Sequence, residues 1–233
     1  MNNKVCLITG VGPGTGKALV ERFARGGYQV AMVARDLPRL EALAQQIPNA
    51  TAFNYDCSEE SSVNEMVAHV SADLGAPEVV FHNAVRGTFG NFDEINPEDL
   101  LQNFQINTMS MLYLARAVSP SMVAAGRGVI MASGNTAALR GKPNFAGFAP
   151  TKAAQRILCE SLARTLGPKG IHVAYLIIDA VIDLQWTREM MPDKTDDYFI
   201  QPSAVADTAF HVAHQDKSGW SFNVEVRPFG EQW

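Results

Sequence analysis

Between residues 9 and 16 the chain reads Thr9-Gly10-Val11-Gly12-Pro13-Gly14-Thr15-Gly16, with the apolar run Val5-Cys6-Leu7-Ile8 before it and the amphipathic Ala18-Leu19-Val20-Glu21-Arg22-Phe23 after it. A glycine-rich turn between a strand and a helix lets backbone approach a pyrophosphate, and the helix N-terminus adds unpaired N–H groups and a partial positive charge. Gly10, Gly14 and Gly16 supply the space, while Pro13 and Thr15 line the approach. The same turn could also be purely structural; the strand before it and the helix after it favour a nucleotide. A second set of residues lies in the middle of the chain, where Lys152 follows Phe148 by one helical turn in Gly147-Phe148-Ala149-Pro150-Thr151-Lys152. A lysine can hold or release a proton, whereas a phenyl ring can do neither at any pH. Asn135, in Ser133-Gly134-Asn135-Thr136-Ala137, can donate a hydrogen bond to a ligand oxygen or serve as a turn residue after Gly134.

The elements that would position these groups follow from hydrophobic periodicity. Strand-like runs occur at 5–8, 30–33, 51–54, 79–81, 129–131, 172–178 and 223–226, and helical patterns at 37–46, 59–74, 97–125, 146–166 and 203–214, after the first helix near 18–23. The apolar runs are continuous rather than alternating, which implies parallel strands covered on both faces. The expected fold is a Rossmann-type doubly wound α/β sandwich of one domain over 1–233, with ligands beyond the strand C-termini at the switch point. Gly26-Gly27 and Gly167-Pro168-Lys169-Gly170 read as helix ends, and Pro38 and Pro97 as first-turn prolines. The irregular stretch 183–202, with Trp186, Met190, Met191, Tyr198 and Phe199 among charges, suits either a lid or a packed surface excursion.

A formal charge of −5 gives no electrostatic reason to expect a nucleic-acid or anionic-membrane partner. No apolar stretch reaches spanning length and the N-terminus lacks a signal-peptide pattern, so a cytoplasmic protein is expected. Cys6, Cys57 and Cys159 lack the paired spacing of metal or redox sites and read as small buried apolar residues. No metal site is expected.

Beyond the glycine loop, markers follow in a set order: Asp56-Cys57 after the third strand, His82-Asn83-Ala84 after the fourth, then Asn107 and Lys152 on helices. Alone, Asp56 and Asn83 could be turn or cap residues and Asn107 a helix kink or buried polar residue. Together, over almost the whole chain, they resemble the short-chain dehydrogenase/reductase family. The resemblance implies that Asp56 and the Cys57 backbone meet the adenine, that Asn83-Ala84 hold the ribose side and brace the sheet, and that Ile182 meets the nicotinamide carboxamide through its backbone. Lys152 would bind the nicotinamide ribose. It also implies dimers or tetramers assembled through the two helices that carry Asn107 and Lys152.

Cofactor choice is read at the end of the second strand, where a carboxylate would favour NAD(H). Here Ala34 is followed by Arg35, whose planar fork suits a phosphate, so NADP(H) is favoured; Asp36 could pair Arg35 or cap the next helix. The reaction end departs from the family. The family tyrosine four residues before the lysine is Phe148, its serine position reads Asn135, the glycine after Asn83-Ala84 is Val85, and the Pro-Gly after the sixth strand is Asp179-Ala180. The alternative tyrosine position seven residues before the lysine is Phe145, and a threonine two residues beyond Ile182 is Leu184. Losing a general acid typically costs about 10²–10⁴-fold in rate. Candidate substitutes near strand ends are Asp179, Asp183 and His82, with Asp183 preferred, and a water held by Asn107 and Lys152 is a further route. The alternative is a catalytically silent dinucleotide binder. Substrate identity is left to the 183–202 stretch.

Overall fold

A computed structural model describes residues 4–230. In chain order the elements are β1 (Val5–Thr9), α1 (Thr15–Arg25), β2 (Gln29–Ala34), α2 (Leu37–Gln46), β3 (Ala50–Asn54), α3 (Glu60–Asp73), β4 (Val79–His82) and α4 (Pro97–Phe104). A π-turn over Gln105–Met109 then leads into α5 (Ser110–Ala125), β5 (Gly128–Asn135), α6 (Ala149–Leu166) and β6 (Ile171–Ile178). The chain continues through β7 (Val181–Ile182), α7 (Gln185–Met190), β8 (Phe199–Ile200), α8 (Pro202–Ala213) and β9 (Asn223–Val226).

Seven strands form one parallel sheet in the order β3-β2-β1-β4-β5-β6-β9. The order reverses beside β1, which opens a crevice between β1 and β4 at their C-terminal ends. Period-2 alternation sends Val5 and Leu7 to one face with Ile171, Val173, Tyr175 and Ile177, where α3, α5 and α6 cover them. Cys6 and Ile8 go to the other face with Ala174, Leu176 and Ile178, under α1, α2 and α8. Because both faces are covered, the strands carry continuous apolar runs. The three cysteines are buried and free, in keeping with their reading as core residues. Among the described residues, no helix is long and apolar enough to cross a membrane.

Two departures from the sequence pattern shape the site. The helical stretch read as 97–125 is divided by the π-turn that holds Asn107. The stretch read as 146–166 becomes helical only at Ala149, so Phe148 occupies its N-cap position. Within 183–202 the chain forms α7 and β8, and β8 pairs with β7 just before the stretch, so that Val181 and Ile182 lie beside Phe199 and Ile200.

Candidate functional site

The turn after β1 is built around space for backbone. Gly10 has φ of 69°, in the left-handed region, and a Cβ there would lie 2.4 Å from the Ala84 backbone. At Gly16 a Cβ would lie 2.8 Å from the Gly10 carbonyl oxygen, which locks the start of α1 against the loop. Asn83 ties the loop to β4: its Nδ2 donates to the Gly10 carbonyl at 2.9 Å, and its backbone N–H donates to Thr9.

This turn is one wall of a cleft of about 630 Å³ that runs from the end of β2 to the start of α7. Of the residues singled out in the sequence, Gly10, Gly14, Thr15, Gly16, Arg35, Asp56, Cys57, Asn83, Ala84 and Ile182 line it. Pro13 does not; it is exposed at the tip of the turn, because the chain folds Gly12 and Gly14 inward and turns the ring out. Lys152 is also absent from the lining.

The cleft fits a dinucleotide. In the first turn of α1 the Lys17 and Ala18 N–H groups donate to the Gly12 and Gly14 carbonyls, at 2.9 and 3.1 Å, whereas the Thr15 hydroxyl, buried at the cleft, has no hydrogen-bond partner among the described residues. A pyrophosphate at this helix N-terminus would satisfy it. At the adenosine end Arg35 is exposed and faces Asp56, with Nη1 3.8 Å from Oδ2. The other Asp56 oxygen accepts the Ser58 backbone N–H at 2.9 Å. Asp36 caps α2 by accepting from the Arg39 backbone N–H at 3.1 Å and pairs with the Arg39 guanidinium, also at 3.1 Å, which leaves Arg35 free of it. Arg39 also donates to the Val11 carbonyl at 3.3 Å and lines the cleft, so two guanidinium groups face this end. The cap carries the signal for Arg39: a helix starting after Asp36 places its third residue back over the preceding loop.

Toward the other end, Asn107 is fully buried in the π-turn and its amide is heavily used. Its Oδ1 accepts the Arg86 backbone N–H at 3.0 Å, while Nδ2 donates to the Arg86 carbonyl and to Thr151 Oγ1, both at 2.8 Å. Asn107 therefore staples the loop after β4 to α6. Both its amide hydrogens are engaged, which leaves no donor for the bridging water considered above. Asn135 ends β5 with its Oδ1 accepting from the Ala137 N–H at 3.1 Å, the turn role, and its amide nitrogen remains as a donor.

Phe148 is buried and belongs to a cluster of rings, its centroid 5.4 Å from that of Phe89, which in turn lies 5.3 Å from Phe145. Ala137 and Ala149 pack against it. Lys152, one turn further along α6, is buried and points away from the cleft: Nζ donates to the Ser133 carbonyl at 2.8 Å and to Gln155 Oε1 at 2.6 Å. Burial lowers its pKa to about 7.

Two of the three candidate substitute acids, Asp183 and His82, are engaged in other contacts. Asp183 is held by both nitrogens of an Arg188 fork, at 2.6 and 2.9 Å, and accepts from Gln201; the Arg188 bonds push its pKa below the usual carboxylate range. It is an ion-pair partner at the base of α7 rather than a proton donor, which overturns the preference for it. His82 is sealed between Thr9 Oγ1 at 3.0 Å and Ser110 Oγ at 3.1 Å, and burial together with the Lys152 charge lowers its pKa to about 3. The imidazole is thus a neutral bridge within the sheet rim. Leu184 lies over the loop, its Cδ2 2.9 Å from where a Cβ at Gly14 would be, and the Ile182 carbonyl accepts from Thr187 Oγ1 at 2.7 Å.

The profile of the short chain dehydrogenase family matches residues 4–190. Sorbitol dehydrogenase of Cereibacter sphaeroides is 30% identical over 188 residues, covering 80% of this chain and 73% of that protein. Among solved structures, a short-chain dehydrogenase from Rhodopseudomonas palustris superposes with a TM-score of 0.86 at 28% identity, covering 98% of this chain and all of that one. A metagenomic short-chain oxidoreductase in complex with NADP gives a TM-score of 0.84 at 25% identity, with 97% of each chain covered.

Proposed function

Because the chain belongs to the short-chain dehydrogenase family, we propose that it is an NADP(H)-binding oxidoreductase with a degenerate reaction end, at which hydride transfer to small carbonyl or alcohol substrates is weak or follows a non-standard proton path. One observation carries the reading: the Cβ-free cradle around Gly10 and Gly16, with the partnerless Thr15 hydroxyl beside it, stands intact, while the proton-donor position holds the buried Phe148. Gly10, Gly14, Thr15 and Gly16 bind the pyrophosphate, Asp56, Cys57, Asn83 and Ala84 the adenosine, and Ile182 the carboxamide end. Arg35 and Arg39 hold a 2′-phosphate, a geometry in which two planar forks favour NADP(H) over NAD(H). The NADP-bound relative supports a dinucleotide in this cleft.

When bound, NADPH supplies a hydride. The chain's own residues then orient and polarise: the Asn135 amide nitrogen can donate to a substrate oxygen, while the ring of Phe148 excludes water and moves no proton. A second reading, a silent binder or sensor of the dinucleotide, is favoured by the position of Lys152, whose ammonium is bonded to Ser133 and Gln155 rather than facing the cleft.

The test is paired. Fluorescence titration is expected to give tighter binding of NADPH than of NADH, and Arg35→Ala or Arg39→Ala is expected to weaken NADPH by about tenfold, the worth of one charge-assisted contact, with NADH little changed. Hydride transfer is then followed across ketones, alcohols and enones. Failure to bind either coenzyme, or rapid ketone reduction by the wild type, would overturn the proposal, and tight binding without turnover would select the silent reading. Assembly is part of the same proposal: Ile157 on α6 and Val123 on α5 are exposed, and a homodimer or homotetramer through these helices is expected by light scattering.

A further inference from the structure

We infer that Gln155, braced by Tyr175, is a positioning residue that holds the Lys152 ammonium on the sheet side of α6 and out of the dinucleotide cleft. Lys152 and Gln155 are three residues apart on α6 and so share a face. Gln155 is fully buried, and its Oε1 accepts from two donors, Lys152 Nζ at 2.6 Å and the Tyr175 hydroxyl at 3.2 Å. The same hydroxyl reaches the Lys152 carbonyl at 3.3 Å. The Tyr175 ring, rising from β6, occupies the space beside Gly134 on β5, where a Cβ would lie 2.1 Å from the ring. Glycine at 134 is therefore what admits the brace.

The orientation of the Gln155 amide follows from charge. Turned over, it would set its NH₂ group against the ammonium, two donors face to face. With Oε1 toward Lys152, Gln155 Nε2 is left buried with no hydrogen-bond partner among the described residues. An amide kept here at the expense of an orphaned donor is an amide needed for its oxygen. The other titratable groups around Lys152 are the Cys159 thiol on α6, the His82 imidazole on β4 and the Tyr175 phenol on β6. Lys152 makes no ion pair among the described residues. Its charge is thus held by neutral oxygens alone, and the low pKa produced by burial accords with that.

The inference concerns the lysine and relies on the dinucleotide reading only for one of two readouts. The first readout uses the full-length protein without cofactor: competitive acylation with acetic anhydride across pH, with the Lys152 peptide quantified by mass spectrometry. Wild-type Lys152 is expected to react slowly and to titrate near 7. Gln155→Met fills the space but removes the acceptor, and should raise the labelling rate by about tenfold or more, the worth of a hydrogen bond to a charged group, while moving the midpoint up toward that of a solvated lysine. Gln155→Glu keeps an oxygen and should keep Lys152 protected; Tyr175→Phe, which removes only the brace, should fall between. The second readout is NADPH affinity, expected to rise in Gln155→Met as the ammonium swings into the cleft and to stay unchanged in Gln155→Glu. Unchanged labelling in Gln155→Met, or equal exposure of Lys152 in the Met and Glu variants, would overturn the inference. If Gln155→Met does not fold, wild-type slowness against Tyr175→Phe decides, and equal rates there refute it. Absence of NADPH binding by the wild type would sink the proposed function while leaving the labelling result to stand alone.

Discussion

One oxygen atom separates the phenyl at 148 from a phenol, and the surroundings of Phe148 show why restoring that atom alone is a partial repair. Its ring packs against Phe89, Ala137 and Ala149, and the lysine that would tune a phenol there is bonded to Ser133 and Gln155. Asn135 spends its carbonyl oxygen on the Ala137 N–H, a cap that serine can also make. Phe148→Tyr together with Asn135→Ser is therefore expected to raise NADPH-dependent ketone reduction by about 10²-fold, the lower range for a general acid. Adding Gln155→Met should raise it further. Steady-state assays of the double and the triple variant check this; no gain in either would mean that the pocket itself has diverged. The phenylalanine and its lysine were legible in the sequence, since the spacing sits on one helix. The fates of Asp183 and Lys152 were not, because Arg188, Gln201 and Ser133 reach them from separate turns and strands.

The elements divide by how local their signals are. The glycine turn between β1 and α1 needs φ of 69° at Gly10 and backbone contact with Ala84, so Gly10→Ala is expected to lose roughly 1–3 kcal/mol of stability from the strained dihedral alone. Gly12→Ala is the contrast: a Cβ there meets nothing within 4 Å, and its thermal melt should stay near wild type. Differential scanning calorimetry of the pair measures the difference, and equal melting temperatures would contradict the packing described for the turn. The strands and helices of the large sheet announce themselves through runs of four to eighteen residues. The β7–β8 pair spans two residues on each side, too short for any periodicity, and the π-turn at Gln105–Met109 interrupts a helical pattern without changing its composition. Both matter to the site, since one sets Ile182 on the cleft wall and the other buries Asn107.

Across the whole molecule, buried titratable groups couple stability to pH. His82 has a pKa of about 3 in the fold against an ordinary value of 6.5, so the unfolded chain binds the extra proton between those limits. Its contribution is complete above pH 6.5 and is lost as pH falls toward 3, at a limiting slope of about 1.4 kcal/mol per pH unit. Lys152, lowered to about 7 from 10.5, has the same sign on the alkaline side, and stability rises as pH climbs through that window. Urea denaturation between pH 6.5 and 4.5, above the range of most carboxylates, should show the acid slope in the wild type and a flatter line in His82→Asn; parallel lines would remove His82 as its source. The fold class, the parallel sheet and the phosphate-cradling turn are determined by the sequence itself, because apolar periodicity and glycine spacing act over neighbouring residues. Which way Lys152 points, whether Asp183 is free, that Pro13 faces out and that Arg39 joins Arg35 at the cleft were decided only by the tertiary structure. Each depends on a hydrogen bond, ion pair or backbone direction set when distant strands and loops come together, and residue spacing along the chain does not encode it.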